Sequence, residues 1–353
     1  MQRVIKGSIN NRNEGLDLLR VILCIAVIIS HTCSYLTNIK EYHSLIWIAC
    51  VSISSINMIA VPCFFILSGY FLLNDEKKIN IKDFYLNSLK KIVVPFFIWS
   101  FIYCLYNLRI WNISNIFNNF DLNTIIQTII DGPPHLWFLF YLMSFYIMLP
   151  FFRYLCKNKE LFFLYFTIVI FFKFLLPYFQ FIPYLSNISN LGEKLGISNY
   201  LGYSIYFLSG YIFHKYKDYY KFKKNITILV FVISILIIPI LTVISSYVIQ
   251  EKNYVFQNYL SISILISSLI FFYWFYDKSI LKNILLKKIS FLSKYTFEAY
   301  LSHILIINIG IILGIYNLNI PSYLQLVIHI FFSIGLTFLL SAFIIKIKNY
   351  LRS

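Results

Sequence analysis

The sequence predicts an all-α polytopic integral membrane protein with about ten transmembrane helices and both termini on the cytoplasmic side. Three observations predict it. First, 59% of the 353 residues are A, V, I, L, M, F, W, Y or C, against about 45–50% in soluble domains on a similar count, and only 12% are charged. A soluble fold of this length could not hide so much apolar surface behind so few charges, which excludes an ordinary cytosolic enzyme, a disordered tail and a disulfide-stapled secreted domain. Second, apolar stretches of about 20 residues, the length a helix needs to cross hydrocarbon, recur along the chain. Third, the basic residues between those stretches fall almost wholly on one side.

In chain order, the first stretch, Leu16–Leu36, follows a polar and basic N-terminus (Arg3, Lys6, Arg12) with no A-x-A-like cleavage site, so it stays as the first span. Ser44–Leu73 is the second. Ile92–Trp111, the third, is trimmed by Lys91 and Arg109. Pro133–Leu155 is the fourth, and Leu161–Phe179, the fifth, is interrupted by Lys173. The remaining five are Ser198–Lys215, Ile226–Ile249, Phe256–Tyr276, Thr296–Tyr316 and Tyr323–Ile345. Between the second and third, Ile79–Ile92 reads as an interfacial helix, with Ile81, Phe84, Tyr85 and Leu89 on lipid and Lys82, Lys90 and Lys91 among headgroups. One transmembrane domain over residues 1–353, with no appended soluble domain, is expected.

Of the 30 Lys and Arg residues, 24 fall in the loops and flanks that ten spans assign to the side of the termini. Lys40, Arg109, Lys194 and Lys252 fall opposite, and Arg20 and Lys173 lie within spans. The net charge of +16 therefore marks a cytoplasmic membrane face and not a nucleic-acid partner. The six cysteines sit in or beside apolar segments without a C-x-x-C pair, the usage of a small hydrophobe rather than a metal or disulfide site. No metal site is expected.

Ionisable groups inside a bilayer are expensive and usually face a partner or an interior path. The first span carries Gly15-Leu-Asp-Leu-Leu-Arg20 and then His31. Arg20 and His31 are 11 residues apart, about 16 Å along one helix face, and Asp17 is one turn from Arg20. One reading makes Arg20 an anion contact at the cytoplasmic mouth and His31 a general base or nucleophile within. The other makes Arg20 a snorkelling residue and His31 a helix-to-helix hydrogen bond.

In Val61-Pro-Cys-Phe-Phe-Ile-Leu-Ser-Gly-Tyr70, Pro62 and Gly69 permit a kink or close helix contact, and Ser68 could bond across helices. Asp131-Gly-Pro-Pro-His-Leu-Trp-Phe138 reads as a turn and proline helix start bearing His135 and the interface anchor Trp137. Thr296-Phe-Glu-Ala-Tyr-Leu-Ser-His303 buries His303 near mid-bilayer with Glu298 nearer the inner mouth, and a second buried His favours a polar chamber. Lys173, Lys40 and His43 read as snorkelling or loop residues, His214 as an inner-edge residue and His329 as a packed helix residue. G-x-S-x-G, H-E-x-x-H and Walker-type motifs are absent from the sequence.

Arg20, ten residues and then His31; Phe64-Phe65-Ile66-Leu67-Ser68-Gly69-Tyr70; Lys90-Lys91 before Pro95; His135-Leu136-Trp137-Phe138; and Tyr300-Leu301-Ser302-His303 occur in that order. In order and spacing they resemble the acyltransferase-3 family of membrane acyltransferases over nearly the whole chain. The likeness is to short stand-alone members such as the enterobacterial common antigen O-acetyltransferase. It implies transfer of an acyl group, usually acetyl, from cytoplasmic acyl-CoA to a hydroxyl of a cell-surface glycan or its lipid-linked precursor, in the bacterial cytoplasmic (inner) membrane. By position it implies His31 as base or transient acyl acceptor and Arg20 as a donor contact. Asp17, Ser68, Tyr70, His135, Trp137, Glu298, Tyr300 and His303 would line the site. Members often carry arginines before the third span. Lys90 and Lys91 here would attract CoA phosphates as point charges without the bidentate fork. Acetyl-CoA would be a donor substrate, with no permanently bound cofactor.

The rival reading is a transporter of a sugar, amino acid or glycan, since ten spans with buried His and Arg also suit a transport path. The absence of a hydropathy repeat between the halves counts against it. A third, a scaffold subunit of a glycan-export complex, would leave His31 and Arg20 dispensable.

Overall fold

The computed structural model describes residues 13–74, 80–107, 122–216, 222–276 and 289–351. Among them every regular element is helical. Arg3, Lys6, Arg12, Arg109 and the third span's end at Trp111 lie outside the described residues.

In chain order the main helices are α1 (Glu14–Ile39), α2 (Leu45–Asn57), α3 (Ala60–Leu72), α4 (Lys90–Asn107), α5 (Leu122–Asp131), α6 (Trp137–Ile147) and α7 (Leu149–Lys157). They continue as α8 (Lys159–Ile170), α9 (Asn199–Lys215), α10 (Lys224–Ile249), α11 (Ile262–Tyr276), α12 (Thr296–Ile312) and α13 (Ser322–Tyr350). Among the described residues, seven helical segments are long and apolar enough to cross a membrane, and the pair interrupted at Met148 makes an eighth if it is one span. The remaining two expected spans correspond to α9 and α11, of 17 and 15 residues, short of the usual crossing length. The chain is thus an all-α, multi-pass membrane protein, and length and composition support seven or eight crossings where the sequence reading expects ten.

Prolines explain the breaks. Pro62 cannot donate to the carbonyl of Met58, and the second stretch divides there into α2 and α3. Pro150 does the same at Tyr146, and the fourth stretch divides at Met148.

Contacts divide the chain into two compact units, one on residues 76–150 and one on residues 13–75 and 151–353. In the first, the expected separate interfacial helix is instead continuous with α4. A short helix, Ile81–Phe84, runs through a π-helical turn, Tyr85–Leu89, into it. Phe84 does not lie on lipid: it is buried and stacks on Tyr146 at 5.3 Å, while Tyr85 Oη donates to the Ile147 carbonyl at 2.6 Å. After α5 the chain turns at Gly132, whose φ of +66° suits glycine, and a Cβ there would meet the Phe96 ring at 2.6 Å.

The second unit holds most of the core. α9 is enclosed, with every residue from Gly202 to Tyr211 buried. A Cβ on Gly69 of α3 would lie 1.7 Å from the Phe207 carbonyl oxygen, and one on Gly210 of α9 would lie 2.2 Å from that of Ile66. The two backbones therefore touch where they cross. The contacts also sort helix ends into two sets. Arg20 with Phe71, Lys348 with Glu298, and Tyr70 with His214 and Tyr276 gather at one end. Lys252 with the Asn38 carbonyl, Trp47 with Tyr254, and Phe181 with Phe256 gather at the other. This is the alternation that the distribution of Lys and Arg requires. Phe256–Leu260, read as the start of the eighth span, belongs to an irregular connection. There Asn258 Oδ1 and Ser261 Oγ accept from the backbone N–H groups of Leu260 and Ile264 and start α11.

Lys173 corrects a second expectation. It is 6% exposed, lies in a π-helical turn (Phe171–Leu175) and pairs with Glu193, so it neither snorkels nor belongs to a loop. Glu193→Ala would leave a buried ammonium without its carboxylate and should cost about 1–3 kcal/mol. Adding Lys173→Met should recover most of that loss, as read by thermal unfolding in detergent.

Candidate functional site

α1 builds the site's axis. Asn13 caps it, its Oδ1 accepting from the backbone N–H groups of Gly15 at 3.1 Å and Leu16 at 3.4 Å. Glu14 and Asp17 complement the dipole in the first turn. Arg20 Nη1 donates to the buried Asp17 at 3.0 Å, and the guanidinium carbon lies 5.0 Å from the Phe71 ring centroid. With a quarter of its side chain exposed, Arg20 is held in place at the end of the bundle rather than trailing into headgroups.

α12 begins beside this end, where Cys24 Sγ donates to the Thr296 carbonyl at 3.6 Å. Glu298, buried in its first turn, accepts from Lys348 in the last turn of α13. Next along both helices comes an apolar cluster of Cys24, Ile28 and Ala299, with Phe64, Ile334 and Phe338 packed on it. Beyond that layer the imidazoles meet. The rings of His31, half-buried, and His303, fully buried, are 5.1 Å apart and tilted by 47°. The Tyr300 ring is 5.8 Å from that of His303. A charged end, an apolar layer and a paired imidazole thus succeed one another along one face of α1.

Asp17, Arg20 and Glu298 therefore stand at the charged end, and His31, His303 and Tyr300 at the deep end. Tyr70 is not beside the histidines. It joins an aromatic cluster with His214 at 5.3 Å, Tyr276 at 5.6 Å and Phe272 at 6.1 Å, at the ends of α3, α9 and α11. Ser68 Oγ donates to the Phe64 carbonyl at 2.8 Å, one turn back in its own helix, and so does not bond across helices. Lys90, Lys91, His135 and Trp137 belong to the unit on residues 76–150. There the lysines are exposed at the start of α4, His135 is buried with its ring 4.7 Å from that of Tyr103, and Trp137 meets Tyr141 at 5.6 Å.

Lys348 is the residue that sequence reasoning missed. A carboxylate placed within a span calls for a cation, and Glu298 was the available signal. His329 is the packed helix residue expected, Nε2 donating to the Ile307 carbonyl at 3.2 Å.

No curated protein and no solved structure matches the chain. A family model, described as an acyltransferase domain, matches residues 13–346, from the cap of α1 to the last turns of α13. That match covers nearly the whole chain, including both helices that bring His31 and His303 together, so the chain belongs to the acyltransferase-3 family.

Proposed function

We propose that this membrane acyltransferase moves an acetyl group from cytoplasmic acyl-CoA to a hydroxyl of a cell-surface polysaccharide or its lipid-linked precursor, in the cytoplasmic membrane of a bacterium. The observation that supports it best is that one helix face carries a fixed guanidinium at one end and, about 16 Å deeper, an imidazole in contact with a second imidazole.

Arg20, at the charged end, meets the phosphates of the donor. The apolar layer around Cys24 and Ile28 suits the acyl end of the donor and excludes bulk water from the histidines. A sugar hydroxyl is a poor nucleophile at neutral pH, and His31 takes its proton as it attacks the thioester carbonyl. The C–S bond breaks, and the CoA thiolate leaves with the proton that His31 held.

The test uses membranes containing the protein, radiolabelled acetyl-CoA and a glycan and lipid extract from the host. Label is expected in a base-labile ester of the glycan fraction. Intact donor and no ester, with host glycan present, would overturn the reading in favour of transport.

A further inference from the structure

We infer that the end of the bundle opposite Arg20 holds a subsite for an acid group of the acceptor glycan, a carboxylate or phosphate, built on Lys40 and Lys252. This rests on the acyl-transfer reading above and names an acceptor class for it. An open cavity of about 440 Å³ lies at that end, lined by Ile39, Lys40, Glu41, Tyr42, His43 and Lys252. Cations are scarce on this side of the membrane, which carries four of the 30 Lys and Arg residues in the ten-span count. Two of those four line the one cavity, brought together from loops distant in sequence.

Both ammonium groups have donors to spare. Lys252 Nζ donates to the Asn38 carbonyl at 2.7 Å, in the last turn of α1. That bond sets the charge against the negative end of the helix and uses one of its three N–H groups. The Lys40 ammonium has no hydrogen-bond or ion-pair partner among the described residues. Glu41, the carboxylate in the lining, pairs with His43 Nε2 at 2.9 Å, and Glu251, next to Lys252 in the chain, is exposed and lies outside the lining. Two ammonium groups against one carboxylate leave the cavity net positive, so its charge favours an oxyanion. The Tyr42 ring meets those of His43 at 5.3 Å and Tyr247 at 5.8 Å, nearly perpendicular to each. It stands as an aromatic wall of the kind a sugar ring packs against.

Position along α1 ties this cavity to the chemistry. Ile39 ends α1 eight residues beyond His31, about 12 Å further along the axis, while Arg20 stands about 16 Å before it. Donor contact, base and cavity thus follow one another along a single helix. An acid group held by Lys40 and Lys252 places a hydroxyl a short oligosaccharide away within reach of His31. The same two charges discriminate against neutral glycans. The phosphate of a lipid headgroup in the outer leaflet shares this chemistry, and the experiment separates the two sources.

The experiment places the native protein, Lys40→Gln and the double variant Lys40→Gln/Lys252→Gln in nanodiscs of neutral lipid. Each is titrated with a glucuronic-acid tetrasaccharide and with its carboxyl-reduced form. The native protein should bind the acidic probe about tenfold more tightly than the reduced one, and the double variant should lose that margin. Added salt should erase it as well. Lys40→Gln alone breaks no side-chain bond in the fold and should lose about threefold, so it decides the matter if the double variant fails to fold. Equal affinity of the native and variant proteins for the acidic probe, or of the native protein for the two probes, would overturn the inference. So would a rise in unfolding temperature on adding phosphatidylglycerol, shared by neither variant and unaffected by the acidic probe, because the occupant would then be a lipid headgroup. The ester assay, run on acidic and neutral pools of the host glycan, tests the underlying reading separately. No ester from either pool removes acyl transfer, whereas ester from both pools at equal KM removes the subsite alone.

Discussion

Replacing His31 with alanine is expected to lower acyl transfer about 1,000-fold, the middle of the range by which a general base accelerates proton removal. The donor should still bind, because the charged end around Arg20 is some three turns away on α1 and belongs to separate contacts with Asp17 and Phe71. kcat should therefore fall while KM for acyl-CoA stays within about threefold. His31→Gln should behave like His31→Ala, since an amide cannot take a proton. The fold should survive both changes: His31 is only half-buried, and alanine is the better helix former. Size-exclusion profile and thermal unfolding in detergent serve as the control. Native turnover by either variant would remove His31 from the chemistry.

Gly69→Val should have the largest effect on stability. Measured by propensity alone, valine is the better residue inside a helix, by about half a kcal/mol. The packing reverses this, because a Cβ at Gly69 would stand 1.7 Å from the Phe207 carbonyl oxygen. What it meets is backbone on a fully enclosed helix, which cannot step aside as a side-chain tip could. The cost should exceed the usual 1–3 kcal/mol of overpacking, on the order of 4 kcal/mol, with most of the purified yield lost. A control at Gly335, where a Cβ meets nothing within 4 Å, should be harmless as Gly335→Ala. Equal yield and equal unfolding temperature for the Gly69 and Gly335 variants would show that α3 and α9 do not depend on this contact.

What the sequence reveals follows from what kind of signal each feature leaves. Helix positions were legible because hydrocarbon demands long apolar runs, whereas the breaks at Pro62 and Pro150 fell inside stretches read as single spans, with only a kink allowed for at Pro62. The alternation of helix ends was legible through the sided distribution of Lys and Arg. The start of the eighth span was misread because Val255, Phe256, Tyr259 and Leu260 look apolar while Asn258 and Ser261 cap the helix that follows. Lys173 looked like a snorkelling residue because its partner, Glu193, lies 20 residues away beyond an irregular segment. The same holds at the site. Arg20 and His31 share one helix, so their alignment follows from 3.6 residues per turn. The contact between His31 and His303 joins the first long helix to the second-last, and no local pattern encodes it. Tyr70 was expected to line the site through the Phe64–Tyr70 resemblance, and the structure sets it in an aromatic cluster with His214 and Tyr276 at the end of the unit that also holds Arg20.

The enclosure of α9 bears on how the chain is assembled in the bilayer. Its 17 residues include Tyr200, Tyr203, Ser204, Tyr206, Ser209, Gly210 and Tyr211, so lateral release of this segment alone into lipid would be weakly driven. Three of its hydroxyls bond to neighbouring elements instead: Tyr206 donates to the Tyr259 carbonyl, Tyr211 to the Cys156 carbonyl, and Ser204 bonds with Tyr165. The Tyr259 partner is synthesised after α9 has left the ribosome. Biogenesis must therefore keep α9 sheltered until the 250–261 connection has emerged, and the helix at the centre of the mature bundle is among the last to reach its final environment.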